Sequence, residues 1–184
     1  FLPLHGQYQA ENAALAIAAV EAFIGGAESK LMDDVVRVAI ADASSPGRLQ
    51  VVNRDPLTIL DAAHNPDGAA SLAQALVEYF GAPKAVGVLA VLAEKDAAGL
   101  LRELADSFEQ VVITKSSSPR AIAPEDLAEL AAAVFGEQNV KIAQDAREAM
   151  ALANEIRSEN AAIVVAGSIS LVGDVLALIQ EEEI

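Results

Sequence analysis

The residues able to do chemistry gather in a few short turns, and the densest is Asp61-Ala62-Ala63-His64-Asn65-Pro66-Asp67. It follows the apolar run Leu57-Thr58-Ile59-Leu60 and precedes a helical spacing of Leu72, Leu76, Tyr79 and Phe80. Pro66 suits the first position of a helix, where a missing N–H loses no partner. Asn65 can cap the free backbone N–H groups, and Asp67 meets the positive end of the helix dipole. Asp61, His64 and Asn65 are thereby set at the carboxyl end of a strand, where open α/β sheets bind ligands. The plainer alternative is a capped strand–helix joint without chemistry. It leaves unexplained why one of only two histidines sits in this turn.

Three more turns carry polar groups after strand-like runs: Glu94-Lys95-Asp96, Lys115-Ser-Ser-Ser-Pro-Arg120 and Gly167-Ser168. The whole chain holds 12 basic residues, and Lys95, Lys115 and Arg120 all fall on this one edge, which points to an anion-binding edge. Each has a blander alternative. Asp96 reads as a helix cap with Lys95 its solvated neighbour. Ser168 either caps the last helix or binds a carboxylate or phosphate at its N-terminus. Arg48, directly after Pro46-Gly47, is either a solvated arginine at a strand start or a fixed cation for phosphate. Asp61 is an acceptor suited to hydroxyls.

Several chemistries are missing. No G-x-x-x-x-G-K-[ST] is present, so the chain has no phosphate-cradling P-loop of its own, and G-x-G-x-x-G is absent from the first strand–helix turn. No second aspartate follows Asp61 two residues on, against a phosphate-transferring nucleophile. His5 and His64 are too few for a zinc hydrolase. These turns do not complete an active site by themselves.

The elements that must position them follow from hydrophobic periodicity. Gln9 to Ile24 reads as a helix with Ala13, Ala16, Ile17, Val20, Phe23 and Ile24 as its apolar stripe, stopped by Gly25-Gly26. A second helix runs from about Ser29 to Ala41, with Met32, Val35, Val36, Ala39 and Ile40 inward. Asp42-Ala-Ser-Ser-Pro46-Gly47 is a linker. From Arg48 the pattern alternates. Leu49–Val52 and Leu57–Leu60 form an edge hairpin, and helix Pro66–Phe80, buried strand Ala85–Leu92 and helix Asp96–Ser107 follow. Then come strand Val111–Thr114, a helix opening at Pro124, strand Asn139–Ile142, and a helix begun by Asp145 and Glu148 and ending near Arg157. Strand Ala162–Ala166, helix Leu171–Gln180 and an acidic tail close the chain. The expected fold is α/β: a Rossmann-like, mostly parallel sheet with helices on both faces, preceded by two helices. Those two helices precede any strand, and a chain opening on Phe1-Leu-Pro without methionine reads as a piece of a longer protein.

The 184 residues are 53% hydrophobic and poor in aromatics, so the core is built from Ala, Val, Leu and Ile. A net charge of −15 argues against nucleic acid as a partner. Charged residues or Gly interrupt every apolar run before membrane-spanning length, so no membrane partner is expected. Phe1-Leu-Pro-Leu-His5 lacks the features of a secretory signal, and zero cysteines fit a reducing cytoplasm, the expected location.

Five motifs in order, Gln9-x-x-Asn12-Ala13-x-x-Ala16, Pro46-Gly47-Arg48-Leu49, Asp61-Ala-Ala-His64-Asn65-Pro66, Val88-Leu-Ala-Val-Leu-Ala-Glu-Lys95-Asp96 and Ala166-Gly167-Ser168, together resemble the C-terminal part of the folylpolyglutamate synthase/dihydrofolate synthase branch of the Mur ligase superfamily. The resemblance covers essentially the whole chain. Peptidoglycan-building Mur ligases are the near alternative; they usually carry histidine in place of Gly47 and an aromatic where this chain has Ala63, which favours the folyl branch. Tyr8 stands where many relatives have histidine. The resemblance implies an ATP-dependent amide ligase, in which a carboxylate of folate or dihydropteroate becomes an acyl phosphate and is attacked by the amine of L-glutamate. It implies an upstream P-loop domain of the same chain holding ATP and Mg2+, with residues 1–44 as the last helices of that domain and 45–184 as the Mur ligase C-terminal domain. By motif, Asn12 lies against adenine, Arg48 contacts the ATP phosphates, and Asp61 holds the ribose or orders its loop. His64 and Ser168 lie near the incoming glutamate with Lys95 and Asp96 close by, His64 and Lys95 being the candidate catalytic side chains. Without the P-loop, this chain alone is expected to be inactive. A reading of another class is a free-standing, non-catalytic Rossmann-like ligand-binding module, with Asp61 and Ser168 as caps.

Overall fold

A computed structural model describes residues 1–25, 30–81 and 85–182. Gly26, Ser29 and the end of the acidic tail lie outside the described residues; Lys30 to Met32 are not helical, so the second helix expected from about Ser29 begins at Asp33. The chain divides into two compact units, Phe1–Pro46 and Gly47–Ile184, a boundary two residues beyond the one expected.

The first unit holds two helices, α1 (Gln7–Gly25) and α2 (Asp33–Ala41). Their apolar stripes do not point into a core. Phe23 is 92% exposed and Met32 66%, and Val20, Ile24, Val35 and Val38 are exposed too. Inward packing of Val20, Phe23, Ile24, Met32 and Val35, expected from periodicity, is not found, whereas Ala13, Ile17, Val36 and Ile40 are half-buried. Periodicity marks an apolar face, and no described residue of this unit covers these side chains.

The second unit is a six-stranded sheet in the order β1-β2-β6-β3-β4-β5. Its strands are β1 (Gln50–Arg54), β2 (Leu57–Leu60), β3 (Ala85–Leu89), β4 (Gln110–Ile113), β5 (Val140–Ile142) and β6 (Ala162–Ala166). Only the β1–β2 hairpin is antiparallel; the other neighbours are parallel. β3 and β6 are buried along their whole length, as strands covered on both faces must be. Helices α3 (Pro66–Phe80), α4 (Ala97–Glu103), α5 (Pro124–Phe135), α6 (Ala146–Ile156) and α7 (Ile169–Glu182) complete the unit.

Side chains alternate across the strands and build two core layers. Leu60, Val86, Val88, Val112, Ile163 and Val165 face α6 and α7, which contribute Ala149, Ala153, Leu171, Val172 and Val175. The opposite face takes the row α3, α4, α5, where Leu72, Leu100, Leu101, Leu104 and Leu127 are fully buried. Gly87 is placed where any Cβ would press on the ring of Phe108, so the sheet and the α4–β4 connection approach closely only with glycine there.

Local signals set several boundaries. Pro66 opens α3, Asn65 accepts the Gly68 N–H at 2.8 Å, and Gly81 ends it in the left-handed conformation. Asp145 accepts the Glu148 N–H, while the Glu148 carboxylate reaches back to the Gln144 N–H. Two expectations change. The expected strand Ala85–Leu92 stops at Leu89, since the chain beyond it turns to Ala121, Ile122 and Arg120 for its hydrogen bonds. The expected helix to Ser107 stops at Glu103, where Leu104, Ala105 and Ser107 bond three residues back instead of four.

Candidate functional site

The turns at the carboxyl edge of the sheet are joined by backbone hydrogen bonds. Asp61 N–H donates to the Val165 carbonyl at 2.9 Å, and Gly167 N–H to the Ala63 carbonyl at 2.8 Å. Ala62 N–H donates to the Gly47 carbonyl at 2.7 Å. The β2–α3 turn holding His64, the β6–α7 turn holding Ser168 and the turn before β1 holding Arg48 are therefore one connected structure. The β3–α4 turn joins from the other side, because Gly99 at the start of α4 lies against the ring of Pro66.

Within this frame Arg48 is half-buried, and its guanidinium acts on the buried Asp61 carboxylate. Burial pushes the Asp61 pKa above its ordinary value of 3.8; hydrogen bonds from Leu49 and Ala63 and the charge of Arg48 oppose that rise without cancelling it. His64 is half-buried, its Nδ1 3.0 Å from the Ala62 carbonyl. With Nδ1 so placed, the ring is held by its own turn and Nε2 remains for a ligand. Lys95 is half-buried and forms no ion pair among the described residues.

Two expected residues act as helix caps in the structure. Asp96 accepts the Gly99 N–H at 2.8 Å, and Ser168, 1% exposed, has its Oγ 3.2 Å from the Ser170 N–H that donates to it. Arg120 is paired with Glu94 at 2.6 Å, so the edge is less cationic than the count of basic residues suggests. Asn12 lies exposed on α1, in the other unit. Lys115 instead lines an open cavity of about 400 Å³ with Ser116, Arg147 and Asp174, at the start of α6 and along α7.

Sequence reasoning missed three contributors. Gln50 accepts the Gly47 N–H at 2.8 Å, Glu94 takes Arg120, and Leu49 adopts φ +45°. The polar turn Glu94-Lys95-Asp96 pointed to Glu94 without its partner, and Pro46-Gly47 hinted at the turn that Gln50 closes.

Comparison with known proteins gives a consistent result. Residues 47–169 match the family described as Mur ligase, glutamate ligase domain. A Mycobacterium tuberculosis protein named dihydrofolate synthase/folylpolyglutamate synthase is 46% identical over 163 residues, covering 88% of this chain and 34% of its own length. A solved structure of Mycobacterium tuberculosis folylpolyglutamate synthase complexed with ADP superposes with a TM-score of 0.91 at 41% identity, covering 97% of this chain and 41% of that one. Escherichia coli FolC in complex with DHPP and ADP gives 0.83 at 28% identity, covering 100% and 41%. The chain spans about a third of the length of the first of these relatives.

Proposed function

The chain belongs to the Mur ligase family through its glutamate ligase domain, and on that premise we propose that it is the C-terminal part of an ATP-dependent ligase that adds L-glutamate to folates. The same reading includes the dihydrofolate synthase step, where dihydropteroate supplies the carboxylate. The observation that carries it is the likeness to the Mycobacterium tuberculosis enzyme over most of this chain, which sets the folyl branch above the peptidoglycan ligases.

In this reaction the terminal phosphoryl group of ATP is transferred to a substrate carboxylate, ADP leaves, the glutamate amine attacks the acyl carbon, and phosphate departs. The residues of this chain bind and orient; none forms a covalent bond. Arg48 fits the role of a phosphate contact, because it is a permanent cation on a turn pinned at both sides. Asn12 is assigned to the adenine. His64, through Nε2, and Lys95, through its ammonium, are assigned to the glutamate and the developing charge at the reacting carboxylate, where preorganised donors lower the barrier. Ser168 and Asp96 are assigned to the same substrate, and both cap their helices. ATP and its magnesium are assigned mainly to the P-loop part of the full-length protein. No group of three His, Asp or Glu side chains placed to hold a metal ion is present among the described residues, so no step is given to a metal ion held here.

The test is a turnover assay on the full-length protein, in which ADP release should require both L-glutamate and a folate or dihydropteroate. Arg48→Ala should lower turnover ten-fold or more, since a hydrogen bond to a charged group contributes about 1.5–3 kcal/mol. The melting temperature should stay near wild type. ADP release dependent on a muramyl-peptide precursor, and indifferent to folates, would reassign the chain to the peptidoglycan ligases.

A further inference from the structure

The open cavity that Lys115 lines, at the start of α6 and along α7, takes no part in the function above. From its walls we infer a separate binding site there, one for a free aliphatic α-amino acid. The site rests on its own residues and stands whether or not the ligase reading does.

Beyond β4 the chain runs Thr114-Lys115-Ser116-Ser117, and two of its hydroxyls are buried. Thr114 is fully buried and Ser116 is 5% exposed, yet neither hydroxyl has a hydrogen-bond partner among the described residues. A buried hydroxyl left unpaired costs free energy, so it marks a place where a polar group belongs. Ser116 lines the cavity, and a ligand there can supply that group. The volume of about 400 Å³ falls inside the range of about 300–1,000 Å³ usual for small-molecule sites.

Several donors suit a carboxylate. The Ser116 hydroxyl is joined by the Lys115 ammonium, which is exposed and forms no ion pair among the described residues. The start of α6 adds to them. Asp145 takes the Glu148 N–H and the Glu148 carboxylate takes that of Gln144, while the first helical N–H, that of Ala146, has no partner within its helix. Ala146 lines the cavity too. The α7 wall has the opposite character. Asp174 accepts the Ser117 N–H through Oδ2 at 2.7 Å, which leaves Oδ1 to receive an ammonium group. Ala177 and Leu178 supply apolar surface for an aliphatic side chain. Arg147 is held by Glu181 at 2.7 Å, so its charge is already balanced. The carboxylates of Asp145 and Asp174 would repel a bare oxyanion such as phosphate, whereas an amino acid brings its own positive charge to meet Asp174.

The experiment is isothermal titration of the full-length protein with L-leucine, leucinol, isocaproate and inorganic phosphate. L-leucine should bind with one-to-one stoichiometry. Leucinol lacks the carboxylate and isocaproate lacks the ammonium, and each should bind about ten-fold more weakly or worse, the effect of one lost hydrogen bond to a charged group. Lys115→Ala, Ser116→Ala and Asp174→Asn should each weaken L-leucine binding. Ser116→Ala also removes an unpaired buried hydroxyl, so the melting temperature of the ligand-free variant should not fall. Three results would overturn the site: no L-leucine binding at millimolar concentration, phosphate binding as tightly as L-leucine, or L-leucine affinity unchanged in all three variants. Folate- and glutamate-dependent ADP release is read in a separate assay, so failure of the ligase reading and failure of this site remain distinguishable.

Discussion

His64 shows how a single side chain can be read two ways. Its turn would fold without it, since Asn65 caps α3 and Asp61 receives the Ala63 N–H. The ring is half-buried and bonds only to the carbonyl two residues earlier, so truncation empties no closed core site. A glutamate-site role therefore sets the expected outcome for His64→Ala in the full-length protein: a glutamate KM raised, or turnover lowered, by ten-fold or more. The melting temperature should move by no more than about 2 °C, because packing losses well below 1 kcal/mol shift a domain of this size by about that much. Kinetics and a thermal scan on the one variant decide. A destabilised enzyme with normal kinetics would make His64 a packing residue. Breaking the Arg120–Glu94 pair should change stability little, since it is exposed on both sides and of the kind that contributes about 0–1 kcal/mol.

At the scale of elements, what could be read in the sequence was whatever local physics decides. Pro66 with Asn65, and Asp145 with Glu148, announce helix starts by capping chemistry, and both starts fall where those residues place them. The unbroken apolar runs at Ala85 and Ala162 announce buried parallel strands, and the alternation of strands with helices announces the sheet. What could not be read depends on contacts distant in sequence. The left-handed Leu49 needs Asp61 twelve residues on, β3 ends where Ala121 and Ile122 come across, and the α1 stripe has no covering layer. Four of the edge turns were legible as a cluster because they follow strands; that the turn before β1 joins them, through the Ala62 N–H on the Gly47 carbonyl, was not. Gly167 offers the clearest test at this scale. It lies at φ +95°, and a Cβ there would collide with the Ala90 carbonyl oxygen, a backbone atom that cannot rotate away. Gly167→Ala should cost roughly 1–3 kcal/mol from backbone strain alone, lowering the melting temperature by several degrees. Turnover should fall as well, because the displaced turn carries Ser168. A thermal scan showing an unchanged variant would mean that the β6–α7 turn has another conformation in solution.

For the whole molecule, the proposed function divides the labour between binding ATP and completing the site. The Gly47–Ile184 unit has two buried layers and the full set of edge turns, and nothing in it resembles a phosphate-cradling loop. The Phe1–Pro46 unit presents uncovered apolar side chains on both helices, as expected of elements that pack against a larger partner layer. The chain also spans about a third of its Mycobacterium tuberculosis relative, so two thirds of that protein has no counterpart here. The 184-residue chain by itself should therefore show a cooperative thermal transition from the sheet unit, yet release no ADP with ATP, magnesium, folate and L-glutamate all present. Without a P-loop the triphosphate has no cradle, and Arg48 alone supplies one charge-assisted contact of about 1.5–3 kcal/mol, far short of the 8 kcal/mol or so at the low end of enzymatic barrier lowering. A coupled assay for ADP, run beside the full-length protein at equal concentration, measures this directly. Glutamate- and folate-dependent ADP release from the 184-residue chain would mean that the nucleotide site is built from these residues, and the assignment of ATP to a separate P-loop part would have to be abandoned.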